Sequence, residues 1–253
     1  MKQVTLITGA SAGLGVEFAR QLAKRGDALV LAARRKDRLE SLARELGNAR
    51  AVAIDLAAPD AAKRLTADLA AAGEQVDTLI NNAGFGLWGR FAQQQPARLR
   101  EMIDLNVGTL TDLCRAVVPA MMERRSGAIL NVASTAAFQA GPGMAVYFAT
   151  KAYVLSLSEA LHEELKPHGI KVSCLCPGPT RTEFGEVAGF GNRLGKAFER
   201  MSMTAEDVVE KALSGLDRNR AIVVTGAMNK AGAQATRFLP RAWLRKIAGA
   251  IKD

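Results

Sequence analysis

Short apolar runs alternate along this chain with longer stretches of helical periodicity. Seven runs rich in β-branched and aliphatic residues, each bounded by Gly, Asn, Asp or Pro, predict strands. They cover residues 4–8, 29–33, 51–54, 78–81, 128–133, 171–176 and 221–225. Amphipathic stretches between them predict helices over 16–25, 36–46, 59–72, 98–124 and 146–166. Strict alternation of strand and helix predicts an α/β fold whose parallel sheet is covered by helices on both faces.

The length and composition are those of an ordinary globular domain. The 253 residues are 49% hydrophobic and 23% charged, enough to bury a full core. No linker, repeat or low-complexity segment divides the chain, so a single domain over 1–253 is predicted. No apolar run approaches the length that spans a bilayer, and the first residues lead into a strand without a signal-peptide pattern. We therefore expect an intracellular, cytoplasmic protein.

The cysteines and histidines give no sign of a disulfide or a metal site. The three cysteines, Cys114, Cys174 and Cys176, include no Cys-x-x-Cys spacing, and there are only two histidines. Cys174 and Cys176 lie two apart in a predicted strand, so both should point to one face as small buried apolar groups. His162 and His168 lie outside every motif and are predicted to be on the surface.

The first predicted strand leads into a glycine-rich turn that opens a helix. Glycines at 9, 13 and 15 of Thr-Gly-Ala-Ser-Ala-Gly-Leu-Gly would let the backbone turn tightly and approach a pyrophosphate. The free amides and the dipole of the following helix would hold such a group. A glycine turn after a strand can also be purely structural. Its place after the first strand of an alternating pattern favours phosphate binding.

Tyr147 and Lys151 are four residues apart at the start of a predicted helix. Residues at that spacing share one face, so an ammonium would lie beside a phenol whose ordinary pKa, about 10, is too high for acid–base work near neutrality. The pair could form a proton donor. Alone the spacing is weak evidence, because a surface lysine packing along a helix would look the same.

Six motifs in order resemble those of a short-chain dehydrogenase/reductase. They are the turn from Thr8 to Gly15, Asn81-Asn82-Ala83-Gly84, Asn106 in Asp-Leu-Asn-Val-Gly, Ser134 after a strand, Tyr147 with Lys151, and the run from Pro177 to Thr182. The resemblance runs from about residue 4 to residue 226. It implies a Rossmann-type doubly wound parallel sheet of about seven strands in the order 3-2-1-4-5-6-7. It also implies hydride transfer between a nicotinamide and a carbonyl or alcohol carbon.

The resemblance also implies roles for the catalytic residues. Tyr147 would be the general acid in reduction and the base in oxidation, and Lys151 would lower the phenol's pKa and bind the nicotinamide ribose. Ser134 would donate a hydrogen bond to the substrate oxygen, and Asn106 would hold a water linking Lys151 to solvent. Developing alkoxide charge needs such a proton and such donors. Taken singly, Ser134 and Asn106 could instead satisfy main-chain groups.

The remaining residues carried over by the resemblance would contact the cofactor. Asp55 would meet the adenine amine, or else cap a helix, and Thr182 would meet the nicotinamide carboxamide. The full cofactor-binding set is Gly9, Ser11, Gly13, Leu14, Gly15, Arg34, Arg35, Asp55, Asn82, Ala83, Gly84, Tyr147, Lys151, Pro177, Gly178, Thr180 and Thr182, with no metal ligand.

The end of the second predicted strand predicts which cofactor is used. NAD-binding sheets usually carry an acid there for the ribose 2′-hydroxyl, whereas a 2′-phosphate requires arginine and no acid. Ala33 occupies the position of the acid, and Arg34 and Arg35 follow. This favours NADP(H) over NAD(H). Arg34 is the better candidate, because it directly follows the acid's position, while Arg35 could be a solvated residue at a helix start.

Residues 183–203 predict a substrate lid. Large apolar residues alternate there with glycines, which suits a mobile cover over an apolar pocket, although the same residues could belong to a packed helix pair. They are Phe184, Phe190, Phe198, Met201 and Met203 among Gly185, Gly189, Gly191 and Gly195. With Phe85, Leu87 and Trp88 they indicate a small to medium-sized, mostly apolar carbonyl or alcohol substrate.

The net charge of +9 is concentrated near the C-terminus, where residues 218–253 carry +7. A basic extension is predicted over 227–253, with an amphipathic helix at 242–247. Such a segment can lie on an anionic membrane or bind an acidic partner. Docking at an oligomer interface or on the same subunit is the favoured alternative, and the resemblance to short-chain dehydrogenases implies a homodimer or homotetramer.

Two other function classes are weighed against the enzyme. A non-catalytic dinucleotide-binding regulator would need no proton donor, yet Ser134, Tyr147 and Lys151 are all present. Nucleic-acid binding is suggested by a pI near 9.8. However, the charge is confined to one end and only 5% of residues are aromatic, so the sequence offers no stacking platform for bases.

Overall fold

The seven apolar runs form the strands of one parallel sheet. The computed structural model describes residues 1–189 and 202–250. The strands are β1 (Lys2–Thr8), β2 (Leu29–Ala33), β3 (Ala49–Ala53), β4 (Glu74–Asn81), β5 (Gly127–Val132), β6 (Ile170–Cys176) and β7 (Ile222–Val224). Each neighbouring pair is parallel, in the order β3-β2-β1-β4-β5-β6-β7. The predicted fold class and strand order are confirmed.

Helices cover both faces of this sheet. The described helices are α1 (Gly13–Lys24), α2 (Lys36–Leu46), α3 (Ala61–Ala71), α4 (Pro96–Ile103), α5 (Leu110–Arg124), α6 (Ala145–Leu165), α7 (Phe184–Val187), α8 (Ala205–Asp217), α9 (Ala227–Ala235) and α10 (Arg241–Ala250). Within residues 1–189 and 202–250, none is long and apolar enough to cross a membrane. The predicted domain limits, including the extension over 227–253, remain predictions.

Alternating side chains of the strands build two separate cores. Leu6 packs with residues of α3, α5 and α6, whereas its neighbour Ile7 packs with residues of α1, α2 and α8. Successive side chains of a strand point to opposite faces, so a strand with a helix layer on each side is apolar throughout. This explains the continuous apolar runs that predicted the strands. A third, smaller cluster surrounds Phe85 and Tyr147.

Most boundaries shift from the prediction by one to three residues, and two elements depart further. β4 begins at Glu74, four residues before the predicted start, because its polar first residues pair with the exposed beginning of β1. The side chains of Gln3 and Gln75 hydrogen bond there at 3.2 Å. The helix predicted over 98–124 is divided into α4 and α5 by a π-helical turn, Asp104–Thr109. Apolar periodicity does not record an inserted turn of this kind, which often accompanies functional sites.

The prediction that His162 lies on the surface is wrong. Its side chain is buried, and Nδ1 donates a hydrogen bond to the carbonyl oxygen of Val172 at 2.7 Å. A polar ring can be buried in this way because the carbonyl of a strand satisfies it. The prediction for the cysteines is confirmed, since Cys174 and Cys176 are both buried, with their Sγ atoms 3.9 Å apart.

Candidate active site

A cleft of about 1230 Å³ lies at the carboxyl ends of the strands. Ligands bind at this edge in open α/β sheets. Almost all the predicted site residues line it: Gly9, Ser11, Gly13, Leu14, Arg34, Arg35, Asp55, Asn82, Ala83, Gly84, Ser134, Tyr147, Lys151, Pro177, Gly178, Thr180 and Thr182. Gly15 and Asn106 do not line the cleft and lie behind it. The structure therefore brings together residues that span most of the chain.

The glycine-rich turn passes under one end of the cleft. Gly9 and Gly13 have φ values of 67° and 54°, which favour glycine. A Cβ on Gly15 would lie 2.2 Å from the carbonyl oxygen of Gly9, so this glycine lets helix α1 approach β1 closely. No side chain caps the start of α1 at Ala12. The helix N-terminus thus presents main-chain amides at the cleft, where a pyrophosphate would fit.

Thr8 ties the glycine-rich turn to the motif after β4. Its Oγ1 accepts hydrogen bonds from the main-chain amides of Asn82 and Ala83, both at 3.0 Å. In return, Nδ2 of Asn82 donates to the carbonyl oxygen of Thr8 at 2.9 Å. These reciprocal bonds hold two cofactor-facing loops in a fixed relation. Asn82 therefore lines the cleft and also holds the two loops together through its main-chain and side-chain amides.

Asn106 acts through the loop that carries Phe85. Its Oδ1 accepts from the amide of Phe85 at 3.1 Å, and its Nδ2 donates to the carbonyl of Phe85 at 3.0 Å and to Oγ1 of Thr150 at 3.1 Å. A Cβ on Gly84 would lie 2.9 Å from Oδ1 of Asn106 and 3.5 Å from Nζ of Lys151. The side chain thus satisfies main-chain groups, the alternative that the sequence left open. Its suggested role toward a water remains a prediction.

Tyr147 and Lys151 lie together in the floor of the cleft, both buried. The Nζ atom of Lys151 is 5.8 Å from the centroid of the Tyr147 ring and donates to the carbonyl oxygen of Val132 at 2.7 Å. Burial raises the pKa of Tyr147 to about 12, and a hydrogen bond with Ser134 opposes the rise. Burial also lowers the pKa of Lys151 to about 8.

The expected effect of Lys151 on the pKa of the phenol stays a prediction. The low-polarity surroundings penalise the charged forms of both groups, which raises the pKa of the phenol and lowers that of the ammonium. The hydrogen bond with Ser134 favours the phenolate. The sequence spacing could not reveal this balance, because it depends on burial.

Ser134 lies two residues after β5, at the start of a short 3₁₀ helix, Thr135–Phe138. Its Oγ accepts from the amide of Ala136 at 3.1 Å and lies 3.5 Å from the carbonyl oxygen of Pro177. Helix capping orients the hydroxyl on the wall of the cleft, next to Tyr147. The same hydroxyl therefore caps the 3₁₀ helix and faces the cleft.

The two arginines after β2 differ in their surroundings. Arg34 pairs with Glu101 at 3.3 Å, and its side chain is 61% exposed. Arg35 reaches the glycine-rich turn instead, where Nε donates to Oγ of Ser11 and Nη2 to its carbonyl, both at 3.2 Å. The geometry thus favours Arg35 over Arg34 as the nearer group to a phosphate at this turn, the reverse of the order expected from sequence.

The loop after β6 completes the wall opposite the glycine-rich turn. A Cβ on Gly13 would lie 3.2 Å from Cβ of Thr182, so the two loops are in contact. Thr180 donates from Oγ1 to the carbonyl of Gly178 at 3.0 Å. Across the sheet, Asp55 lines the cleft while its Oδ1 accepts from the amide of Ala57 at 3.1 Å. Its capping role is in this turn rather than at the start of a helix.

Apolar side chains enclose the space next to Tyr147. The ring of Phe184 lies 5.5 Å from that of Tyr147, and the ring of Phe148 lies at 6.1 Å. A Cβ on Gly86 would meet Cε of Met144 at 2.9 Å. Of the predicted lid over 183–203, residues 190–201 lie outside the described residues, Phe190, Gly191, Gly195, Phe198 and Met201 among them. The lid remains a prediction.

Some residues of the cleft were missed in the sequence. They are Gln139, Met144, Phe148, Met228, Asn229 and Thr236. Met144 and Phe148 could have been found, because they lie three residues before and one after Tyr147. Asn229 gave no signal. A Cβ on Gly178 would lie 2.2 Å from Nδ2 of Asn229, so two residues some fifty positions apart in the chain are in contact.

Comparison with known proteins agrees with this arrangement. The sequence model described as short chain dehydrogenase matches residues 3–189. The chain belongs to the short-chain dehydrogenase family. Membership of this family of oxidoreductases was predicted from the six ordered motifs, and that prediction is confirmed.

Individual relatives cover most of this dehydrogenase. An NADP-dependent 3-hydroxy acid dehydrogenase of Salmonella typhi is 36% identical over 213 residues, 82% of this chain and 86% of that one. A short-chain dehydrogenase from Sphingobium yanoikuyae, solved in complex with NADPH, is 36% identical with a TM-score of 0.82, covering 94% of each chain. A bulky-bulky ketone specific alcohol dehydrogenase from Comamonas testosteroni is 32% identical with a TM-score of 0.77, covering 94% and 92%.

Proposed function

We propose that this dehydrogenase is an NADP(H)-dependent enzyme that interconverts a carbonyl compound and a secondary alcohol, with Tyr147 as general acid and base. The observation that carries the proposal is the buried Tyr147 hydroxyl beside Ser134, in the floor of a cleft that begins at the glycine-rich turn. When bound, the nicotinamide supplies or accepts the hydride. The residues of the chain supply the proton and hold the reacting groups in place.

The walls of the cleft suit a dinucleotide that carries a 2′-phosphate. Amides at the start of α1 and the glycines of the turn would hold the pyrophosphate. Arg35 and Arg34 present guanidinium groups where an acid would favour NAD(H), and Ala33 leaves that place without a carboxylate. NADP(H) is therefore the cofactor. The NADP dependence named for the Salmonella typhi relative and the NADPH complex of the Sphingobium yanoikuyae relative agree.

The proton chemistry belongs to three side chains. In reduction, Tyr147 gives its proton to the carbonyl oxygen, and its pKa of about 12 keeps the phenol protonated at neutral pH. Ser134 donates a hydrogen bond to the same oxygen as negative charge develops. Lys151, whose Nζ is held by the carbonyl oxygen of Val132, would bind the ribose hydroxyls. Asn106 holds the loop at Phe85 that forms the neighbouring wall.

The substrate is a mostly apolar carbonyl compound or alcohol. The space beside Tyr147 is bounded by Phe85, Met144, Phe148 and Phe184, with Gln139 as a polar group. Apolar walls with a few polar groups are typical of sites for small organic molecules. The bulky ketones named for the Comamonas testosteroni relative are consistent with this class.

Exchanging the two tyrosines of the chain singly for phenylalanine tests the proposed acid. Tyr147→Phe should lower NADPH-dependent ketone reduction by about 10²-fold to 10⁴-fold, while NADPH binding measured by fluorescence is retained. Tyr153→Phe is the matched control. This residue is on the same helix, is 40% exposed, and has its hydroxyl 3.0 Å from Oγ1 of Thr111.

The substrates for this assay come from a panel of ketones, aldehydes, ketoacyl thioesters and steroids, each tested with NADPH and NADH. Activity that survives in Tyr147→Phe would contradict the proposed acid. NADPH binding without turnover on the whole panel would favour the non-catalytic regulator instead. Turnover that prefers NADH would contradict the cofactor.

We also propose that the protein is a homodimer or homotetramer in which a second copy covers the C-terminal helices. Phe238 and Trp243, 84% and 61% exposed, are large apolar side chains that a second copy could cover. Light scattering should give a mass of two or four chains, and Trp243→Ser should reduce it. A monomer that sediments with anionic vesicles would instead support membrane contact through the basic extension.

A further inference from the structure

One carboxylate bridges the cofactor arginines and the loop after β6. Glu183 pairs through Oε2 with Nη1 of Arg35 at 3.1 Å and through Oε1 with Nη1 of Arg38 at 2.8 Å. The two arginines lie three residues apart at the start of α2, so both can reach the same carboxylate. The hydrogen bond from Arg38, which has the larger effect, and the one from Arg35 hold the pKa of the Glu183 carboxyl below its usual range.

The bridge lies at the cofactor cleft. Glu183, Arg35 and Ser11 all line the cleft, and Arg35 contacts Ser11 through Nε and Nη2 while its Nη1 contacts Glu183. The guanidinium therefore spans from the glycine-rich turn to the segment after β6. The nearby packing of Gly13 against Thr182 joins the same two segments.

A 2′-phosphate and this carboxylate compete for the same guanidinium. The phosphate carries up to two negative charges and binds arginine in paired hydrogen bonds. A phosphate bound by Arg35 either displaces Glu183 or lies beside its negative charge, and like charges repel. Both outcomes cost free energy. A cofactor without the 2′-phosphate incurs neither cost.

We propose that Glu183 is a specificity-determining residue that weakens the binding of the phosphorylated cofactor by holding Arg35 and Arg38 in ion pairs. The inference rests on the proposed use of NADP(H) and adds to it a residue outside the arginines themselves. Glu183 acts through the arginines, so it is a positioning residue rather than a catalytic one. Its carboxylate reduces the preference for the phosphorylated cofactor that results from Ala33 and Arg35.

Calorimetric binding of 2′,5′-ADP and of ADP tests the proposal without any turnover. Glu183→Gln keeps the size of the side chain and removes its charge. The affinity for 2′,5′-ADP should rise about threefold to tenfold, as expected for exposed ion pairs, whereas the affinity for ADP should stay the same. The gain should shrink at high salt, because exposed charges are screened.

Two further variants separate a local effect from a general one. Glu186→Gln is the matched control, because Glu186 lines the cleft three residues away and is exposed. It should leave the ratio of the two affinities unchanged. In Glu183→Gln combined with Arg35→Gln, the gain should shrink, because only Arg38 is left of the two arginines through which Glu183 acts.

The outcomes distinguish this inference from the proposed function. Suppose that the wild-type protein prefers 2′,5′-ADP and that Glu183→Gln leaves this preference unchanged or makes it smaller. The proposed role of Glu183 is then overturned, while the use of NADP(H) stands. A smaller preference would mean that the carboxylate orients the arginines for the phosphate. Wild-type protein that binds both ligands equally overturns the NADP(H) assignment and this inference together.

Discussion

Lys151 donates a hydrogen bond from Nζ to the carbonyl oxygen of Val132, at 2.7 Å, across the floor of the cleft. Val132 is the last residue of β5, so the lysine is anchored to the sheet edge where Ser134 follows two residues later. Among the residues that the structure describes, no carboxylate pairs with Lys151, so this contact is what fixes its amino group. This explains how a lysine can be buried here although burial lowers its pKa to about 8.

The buried lysine predicts a dependence of stability on pH. Its pKa is about 8 in the folded protein and near 10.5 when unfolded, so between these values the unfolded chain binds more protons. Stability should therefore rise with pH in that window. Relative to Lys151→Met, the wild-type free energy of unfolding should increase by about 3 kcal/mol between pH 8 and 10.5. Urea denaturation at several pH values measures it, and a constant difference would contradict the shift.

Gly84 is predicted to be intolerant of a side chain. The added methyl group of Gly84→Ala would press on Oδ1 of Asn106 and displace the loop at Phe85. Misplacement of about 1 Å in a site can cost up to about 10²-fold, so we expect kcat/KM to fall about tenfold to a hundredfold. Gly108→Ala is the control, because a Cβ there has nothing within 4 Å. Equal activity in the two variants would argue against a constraint at Gly84.

The two arginines after β2 should contribute unequally to cofactor affinity. Arg35→Gln should weaken 2′,5′-ADP binding by about tenfold to a hundredfold, the usual effect of losing charge-assisted hydrogen bonds. Arg34→Gln should have the smaller effect, because Arg34 is turned toward Glu101. Titration of both variants checks the order. A larger loss in Arg34→Gln would restore the order expected from the sequence.

Introducing an acid at the end of β2 should change the cofactor preference. Ala33→Asp combined with Arg35→Gln provides a carboxylate for a ribose 2′-hydroxyl and removes a guanidinium that suits a phosphate. The ratio of kcat/KM for NADPH to that for NADH should fall, and steady-state kinetics with both cofactors measures it. An unchanged ratio would contradict the assignment of this position.

The two histidines should differ in their effect on stability. His162→Ala removes a buried hydrogen bond to Val172 and should lower the free energy of unfolding by about 1–3 kcal/mol. His168→Ala, in the turn Lys166–His168, should change it by less than about 0.5 kcal/mol. Chemical denaturation of both variants at neutral pH makes the comparison. Similar losses would indicate that the hydrogen bond to Val172 contributes little.

Much of the site was predictable because its motifs have a fixed place in the chain. Each cofactor loop directly follows a strand, so an apolar run such as residues 171–176 locates Pro177 and Gly178 as soon as it is recognised as a strand. The parallel sheet then brings these loops to one edge. Contacts made by α9, such as that of Asn229 with Gly178, could not be predicted, because no periodicity links residues so far apart.

By itself the sequence determined the α/β alternation, the family, and the residues at the strand ends, because these depend on local apolar patterns and short motifs. The tertiary structure decided the balance of charge and burial among them. It showed that burial sets the pKa of Tyr147 and Lys151, that Arg35 rather than Arg34 reaches Ser11, and that Glu183 bridges two arginines. Desolvation and ion pairing depend on distances in space, which spacing along the chain does not give.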